Sequence, residues 1–405
     1  MSSPPPIRVG IIGLAQTSAT GWAASAHLPN FLTAAGRERF QIVALCNTSV
    51  ASAQAAIRAF GLDPATTRAY GSPADLAADP DVDFVLCSVR VDKHLPTTLP
   101  SIEAGKDVYI EWPIAANPAE IQRVVDAAKK AAAAAPAPPT IFVGLQHRYA
   151  PPLVKVKELL AAGAIGTLRN LRVNCYGGFF NPGCWPLPLK YFAEGPVGGN
   201  PMTINVPHLV DNVQFAVGEF IPDTVHTHYQ IQEPDVPIVK SFGSDEVVET
   251  VRTDVPDIFN VHGLVSSPAS QRPVTVTVHY QSGYPFPDTP AGEWTFTGSK
   301  GTIRLVDPSG LALMDDTGPT RVTIQLHRDG ATGDAAVEDV AWEYSALEKE
   351  VPPPARAIQA LLYQYADAKR GVSAEDVRQT KDWPSLASAA ARAAQVNGWL
   401  STFKG

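Results

Sequence analysis

His208 stands in "GGNPMTINVPHLVDN", after a Gly-Gly-Asn-Pro stretch and before an apolar run with the character of a helix. Imidazole changes charge near neutral pH, so a histidine facing a cleft can take or give a proton during a reaction. The bland alternative is a buried, satisfied histidine at a helix start. Just upstream, "PLKYF" sets Lys190 beside Tyr191. A phenol that shares a site with an ammonium group can have its pKa lowered enough to act, so both are further candidates for catalysis if this loop covers the same cleft. An exposed loop is the competing reading.

A second set of residues belongs to the segment "VGIIGLAQTSATGWAASAHLP", which follows the first apolar run. A dinucleotide fingerprint needs glycine where the backbone approaches pyrophosphate, and then a helix whose amino end faces the anion. Gly13 fits the first glycine, and Ala15 stands at the second. Gly21 serves as the third only in a lengthened turn. Thr17, Ser18 and Thr20 could add hydroxyl contacts to phosphate. At the end of the next strand a ribose 2′-hydroxyl is usually held by an acid. Here "LCNTSVAS" offers Asn47, Thr48 and Ser49 instead, a slight preference for NADP over NAD. The alternative is a Gly/Ser/Thr loop that holds no nucleotide.

Further candidates lie where other strands end. Ser88, Arg90 and His94 belong to "SVRVDKHLP", and Arg90 could meet a phosphate or a carboxylate. Gln146 and Arg148 fall in "GLQHRY", at the mouth where open α/β sheets bind ligands. Glu111 and Trp112 sit in "VYIEWPIAANP". The Trp112 indole N–H only donates. Its face could pack on a nicotinamide or an apolar substrate, or simply fill space at the sheet edge. Tyr176, Phe179, Phe180 and Trp185 make "CYGGFFNPGCWP" an aromatic loop that could line a substrate pocket or form an oligomer contact. His226 and His228 share one strand face, but no Cys or carboxylate completes a metal set, so no metal is expected.

These residues need a scaffold, and the chain's patterning describes one. With 405 residues it is long enough for two domains. Residues 1–150 alternate near-continuous apolar runs ("IRVGIIGLA", "FQIVALCN", "VDFVLCSV", "DVYIEW", "TIFVGLQ") with Ala-rich helical stretches. That repetition predicts a parallel sheet with helices on both faces. Residues 151–405 open with a Pro-started helix and then turn to alternating strands, the pattern of a mainly antiparallel sheet. Two terminal helices, 355–370 and 384–400, are expected to pack back toward the first domain. The net charge of −8 with no basic run argues against a nucleic-acid surface. No apolar stretch is long enough to span a membrane, and no signal segment is visible. Cys46 and Cys87 lie in apolar runs and there is no C-x-x-C, which fits a reducing cytoplasmic setting.

Four segments, "IRVGIIGLA", "SVRVDKHLPTTLPSIEAGKDVYIEWPIA", "VGLQHRYAPPLVKVKELLAAGAIGTLRNLRV" and "FTGSKGTIRLV", occur in an order that resembles the glucose–fructose oxidoreductase / inositol dehydrogenase (Gfo/Idh/MocA) family. "GWA" and the Glu-Trp pair look like the branch that contains the yeast galactose-regulon repressor. The resemblance implies an N-terminal Rossmann domain, a C-terminal α+β domain with a large open sheet, and an active site in the crevice between them. It also implies homo-oligomers paired through the sheet. The proton-handling group it implies is a lysine after Glu111, an aspartate, and a histidine four residues later. Here Trp112 holds the lysine position, Ile204 the aspartate position and His208 the histidine position. Asp211 matches a further family carboxylate.

Three functions are compatible with these residues. The first is an NAD(P)-dependent oxidoreductase with a rebuilt site, acting on a small and relatively apolar or cyclic substrate. The second is a non-catalytic dinucleotide-binding regulator. The third is a redox-neutral isomerase, lyase or cyclase.

Overall fold

The computed structural model describes residues 4–177, 183–332, 336–372 and 377–404, so Phe179 and Phe180 of the aromatic loop lie outside the described residues. The chain divides into two compact units. One comprises Met1–Gln146, Pro196–Gly199 and Ser345–Ala394; the other comprises His147–Gly195, Asn200–Tyr344 and Gln395–Gly405. The segment after residue 150 is therefore shared between them.

The first unit is built on six parallel strands: β1 (Ile7–Ile12), β2 (Phe40–Cys46), β3 (Arg68–Tyr70), β4 (Phe84–Cys87), β5 (Asp107–Ile110) and β6 (Ile141–Val143). Their order is β3-β2-β1-β4-β5-β6. Strands β4 and β5 are buried at every residue, which is why they read as unbroken apolar runs. The order reverses between β1 and β4, the place where such sheets take ligands at their carboxyl ends. Helices follow the strands with ordinary start signals. Ser49, Ser72 and Asn117 cap their helices by accepting from Ser52, Asp75 and Glu120 backbone N–H groups. The helix Pro353–Arg370 belongs to this unit. Arg39 fastens it through a paired bond to Asp367 (2.9 and 3.1 Å), and Tyr365 bonds Asp107 at 2.7 Å.

The second unit carries β7 (Leu168–Tyr176), β8 (Trp185–Pro186), β9 (His226–Gln230), β10 (Asp235–Val239), β11 (Val247–Arg252), β12 (Ile258–Val265), β13 (Val274–Gln281), β14 (Gly292–Gly298), β15 (Gly301–Asp307), β16 (Thr323–Arg328) and β17 (Val337–Asp339). An eight-stranded sheet runs β17-β16-β15-β14-β7-β13-β12-β9. It is antiparallel except at β7–β13. One face is a continuous core of residues such as Leu171, Val173, Val276, Val278, Trp294, Phe296, Ile303 and Leu305. Val206, Leu209, Val210 and Val213 of the helix Asn205–Val217 join that core. The strands alternate buried and open residues, as a sheet covered on one face must. Strands β8, β10 and β11 form a separate small sheet. No helix among the described residues is long and apolar enough to cross a membrane.

Candidate functional site

Gly13 follows β1 with φ of +98°, and a Cβ there would lie 2.3 Å from the Ser88 carbonyl oxygen. The turn can therefore press against the end of β4 only with glycine. Ser88 N–H donates to Ile12 O at 3.0 Å, so the two strand tips are also joined directly. Beyond the turn, Gln16, Thr17, Ser18 and Thr20 are exposed, and Ala15 is half-buried. Gly21 takes φ of +62° and Trp22 begins a helical run through Leu32. A glycine turn, an exposed hydroxyl-bearing loop and a helix start thus follow β1 in the arrangement that accepts a dinucleotide.

At the end of β2, Asn47 Nδ2 donates to Leu14 O at 2.8 Å and so braces the turn after β1. Ser49 is the cap of the next helix. Thr48 stays exposed. Of the three polar residues expected to meet a ribose, two are therefore engaged in holding the backbone.

The end of β5 carries a buried charge that four donors converge on. Glu111 Oε1 accepts from Trp22 Nε1 (2.8 Å), from His27 Nε2 (2.5 Å) and from the Tyr109 hydroxyl (3.1 Å). Its Oε2 accepts from Trp112 N–H at 3.2 Å. Tyr109 and Glu111 are two residues apart and share a face of the strand. Gly144 leaves them room, since a Cβ there would stand 2.5 Å from Glu111 Oε2. Burial alone would raise the Glu111 pKa. The hydrogen bond from His27, then those from Trp22 and Tyr109, more than reverse this and hold it below the usual carboxylate range. His27 is fully buried, and its Nδ1 has no partner among the described residues. We assign the proton to Nε2, facing Glu111. A bare buried lone pair is easier to tolerate than an orphaned N–H.

Trp112 is 7% exposed and packs in a cluster with Leu95, Ile110 and Ile114. Much of its surface is core. His94 is buried as well, with Nδ1 2.7 Å from Pro113 O and Nε2 3.0 Å from Val89 O. It ties together the segments after β4 and β5, and burial pulls its pKa down despite those carbonyls. Arg90 forms a paired bond with Asp92 (2.5 and 2.7 Å). Gln146 is buried, and its side-chain oxygen has no partner among the described residues.

In the second unit, His208, Asp211 and Asn212 lie at i, i+3 and i+4 on the helix Asn205–Val217, hence on one face. The short turn Gln146–Tyr149 supplies His147 and Arg148 to that face. Arg148 closes on Asp211 through Nε–Oδ2 (2.9 Å) and Nη2–Oδ1 (2.7 Å). The His147 and His208 rings lie 5.0 Å apart. Asn212 Nδ2 is 3.2 Å from His147 Nδ1. With the amide donating, the His147 proton belongs on Nε2. Burial first, and His208 second, press the His147 pKa down to about 3. His147 is therefore neutral at pH 7, while Arg148 and Asp211 fix the ends of the arrangement.

The remaining candidates belong to the same unit. Lys190 is ion-paired with Glu249 of β11 at 2.7 Å, both about two-fifths exposed. Tyr191 packs edge-on against Phe192, as does Trp185. Tyr176 ends β7 beside His279, with ring centroids 5.9 Å apart. Asn260 lies opposite both His228 and His279 in register, and bonds His279 at 2.9 Å. Among the described residues no group of three or more His, Cys, Asp or Glu could hold a metal ion. Cys46, Cys87 and Cys175 are buried free thiols, and burial pushes Cys87 up to about 12.

Residues 7–135 match the oxidoreductase family with an NAD-binding Rossmann fold (GFO_IDH_MocA), and residues 151–307 match the Gal80p C-terminal domain. Dehydrogenase aclE of Aspergillus oryzae is 31% identical over 85% of this chain and 86% of its own. This chain belongs to the Gfo/Idh/MocA family. The galactose/lactose metabolism regulatory protein GAL80 of Saccharomyces cerevisiae is 24% identical, over 76% of this chain and 68% of its own. A super-repressor mutant structure of that Gal80p superposes with a TM-score of 0.80 at 19% identity, covering 98% of this chain and 96% of its own. An oxidoreductase from Agrobacterium radiobacter in complex with NAD+, L-tartaric acid and magnesium gives 0.65 at 17% identity, over 96% and 94% of the chains.

Membership in the Gfo/Idh/MocA family accounts for the strand order and the large mixed sheet. The site differs from the arrangement the resemblance implies. A buried tryptophan follows Glu111 where a lysine was implied, and Ile204 heads the helix that carries His208. The residues that sequence reasoning missed are Trp22, His27 and Tyr109 around Glu111, and His147 and Asn212 beside His208. "GWA" and "GLQHRY" were conspicuous, but nothing in either names its partner.

Proposed function

We propose that this chain is an NAD(P)-dependent oxidoreductase in which His208, with His147 beside it, handles the proton. The observation that carries the reading is the histidine pair set on the face that Arg148 and Asp211 fix. Burial keeps His147 neutral, which leaves His208 as the group of the pair that exchanges a proton. His208 would take the proton from a substrate hydroxyl as it is oxidised, and give it to the carbonyl oxygen in the reverse direction. Gly13, Ala15, Thr17 and Gly21 would hold the pyrophosphate side of the dinucleotide, and Thr48 the adenosine ribose side. The dinucleotide, when bound, supplies or accepts the hydride. With no acid at the end of β2, the preference is for NADP. Tyr176 and Trp185 support a small, relatively apolar or cyclic substrate. The open face of the eight-stranded sheet, with Arg172, Asn174, Thr277, Glu293 and Thr295 around a shallow depression, is our candidate for pairing two copies.

The test is turnover with NADPH or NADH against a panel of cyclic ketones and sugars, followed by nicotinamide absorbance. His208→Gln should lower kcat about 10²–10⁴-fold while coenzyme affinity holds. Unchanged turnover would remove His208 from the reaction. A second reading is a dinucleotide-binding regulator, favoured by the match to the Gal80p C-terminal domain and by Trp112 at the lysine position. Saturable coenzyme binding with no turnover on any substrate would support it.

A further inference from the structure

Within the loop after Gly13 the bonds are long, whereas the Gly21 carbonyl at its end accepts from Ala24 N–H (3.0 Å), Ser25 N–H (2.9 Å) and the Ser25 hydroxyl (3.1 Å). Gly21 N–H donates to Ser18 Oγ at 3.3 Å and Trp22 N–H to Thr20 Oγ1 at 3.4 Å. A Cβ on Gly21 would meet nothing within 4 Å, so packing does not fix the backbone there. At its start the loop is pressed against Ser88 by Gly13. At its end the Trp22 indole N–H reaches Glu111 Oε1 at 2.8 Å. That acceptor is buried and ionised, and hydrogen bonds to ionised acceptors are about twice as strong as neutral ones. The same oxygen takes His27, three residues before the helix residue Asn30, and the other oxygen takes the Trp112 backbone.

We infer that Trp22 is a positioning residue for dinucleotide binding: its indole N–H latches the far end of the phosphate-side loop to Glu111 at the tip of β5. It acts through the backbone of Ala15–Gly21, which it holds in the shape that Gly13 begins. The inference rests on the proposed dinucleotide binding and goes beyond it, because it assigns loop order to a side chain outside the glycine pattern.

Trp22→Phe keeps an aromatic ring and removes the N–H. Titration of the full chain with NADPH should show affinity weakened about tenfold. Hydrogen exchange of the free chain should show faster exchange across residues 15–21, with the sheet amides unchanged. Combining Trp22→Phe with Glu111→Gln should cost less than the two single effects multiplied, since each weakens or removes the bond between the two side chains. If Trp22→Phe does not fold, Trp22→Leu, which also removes the indole N–H and leaves Glu111 in place, gives the same two readouts. NADPH binding and loop exchange that match the unsubstituted chain would overturn the latch and leave the proposed function standing. Failure of the unsubstituted chain to bind NADPH or NADH would overturn both.

Discussion

Arg148 and Asp211 face each other through two parallel hydrogen bonds, with only 8% and 2% of their side chains exposed. Such a pair is expensive to break from one side, because the remaining charge is left buried without its counterion. Asp211→Ala should cost about 3–5 kcal/mol of unfolding free energy, measured by urea denaturation. Replacing both residues with apolar ones of similar volume should cost much less. A loss below about 1 kcal/mol for Asp211→Ala would mean that the pair is solvated in solution.

Glu111 predicts acid sensitivity of the first unit. Its folded pKa is depressed, so in the range between the folded and unfolded values the unfolded chain binds more protons. The stabilisation is therefore complete above the ordinary glutamate value of about 4.3 and is lost as pH falls through the folded value. Tm measured against pH should fall in that window, and Glu111→Gln should flatten the fall. An unchanged slope in the variant would show that Glu111 is not the group responsible.

His147 acts in a different window. Its folded pKa of about 3 lies below the ordinary histidine value of about 6.5. The unfolded chain takes up the proton first, so stability is full above about pH 6.5 and erodes as pH falls toward the folded value. Imidazole NMR signals of His147 should keep the neutral form at about pH 5, where a solvated histidine is mostly charged. A protonated His147 at that pH would contradict the packing described for the pair.

The parallel sheet was legible because fully buried strands leave an unmistakable apolar run, as in "DFVLC" and "DVYI". Ser49 was expected beside a ribose, whereas it caps the next helix. The Glu111 cluster was not legible. His27 and Glu111 are 84 positions apart, and no periodicity links a helix residue to a strand tip. Trp112 was ambiguous because a tryptophan that faces a ligand and one that fills a core leave the same mark in a sequence. Lys190 beside Tyr191 looked like a proton-handling pair, but the ion pair with Glu249 depends on a strand fifty-nine positions later. Nothing in "GLQHRY" sets His147 apart from the charged Arg148 next to it. Their shared face becomes visible only when His208, Asp211 and Asn212 are read as one helix face.

The central claim is that a nicotinamide dinucleotide is held at the glycine turn after β1. The most direct measurement is a fluorescence titration of the purified chain with NADPH and with NADH, run beside Gly13→Ala, whose Cβ would stand 2.3 Å from Ser88 O. Saturable uptake by the unsubstituted chain, tighter for NADPH and lost in Gly13→Ala, is the predicted result. Uptake of neither coenzyme, or equal uptake by the Gly13→Ala chain, would contradict it.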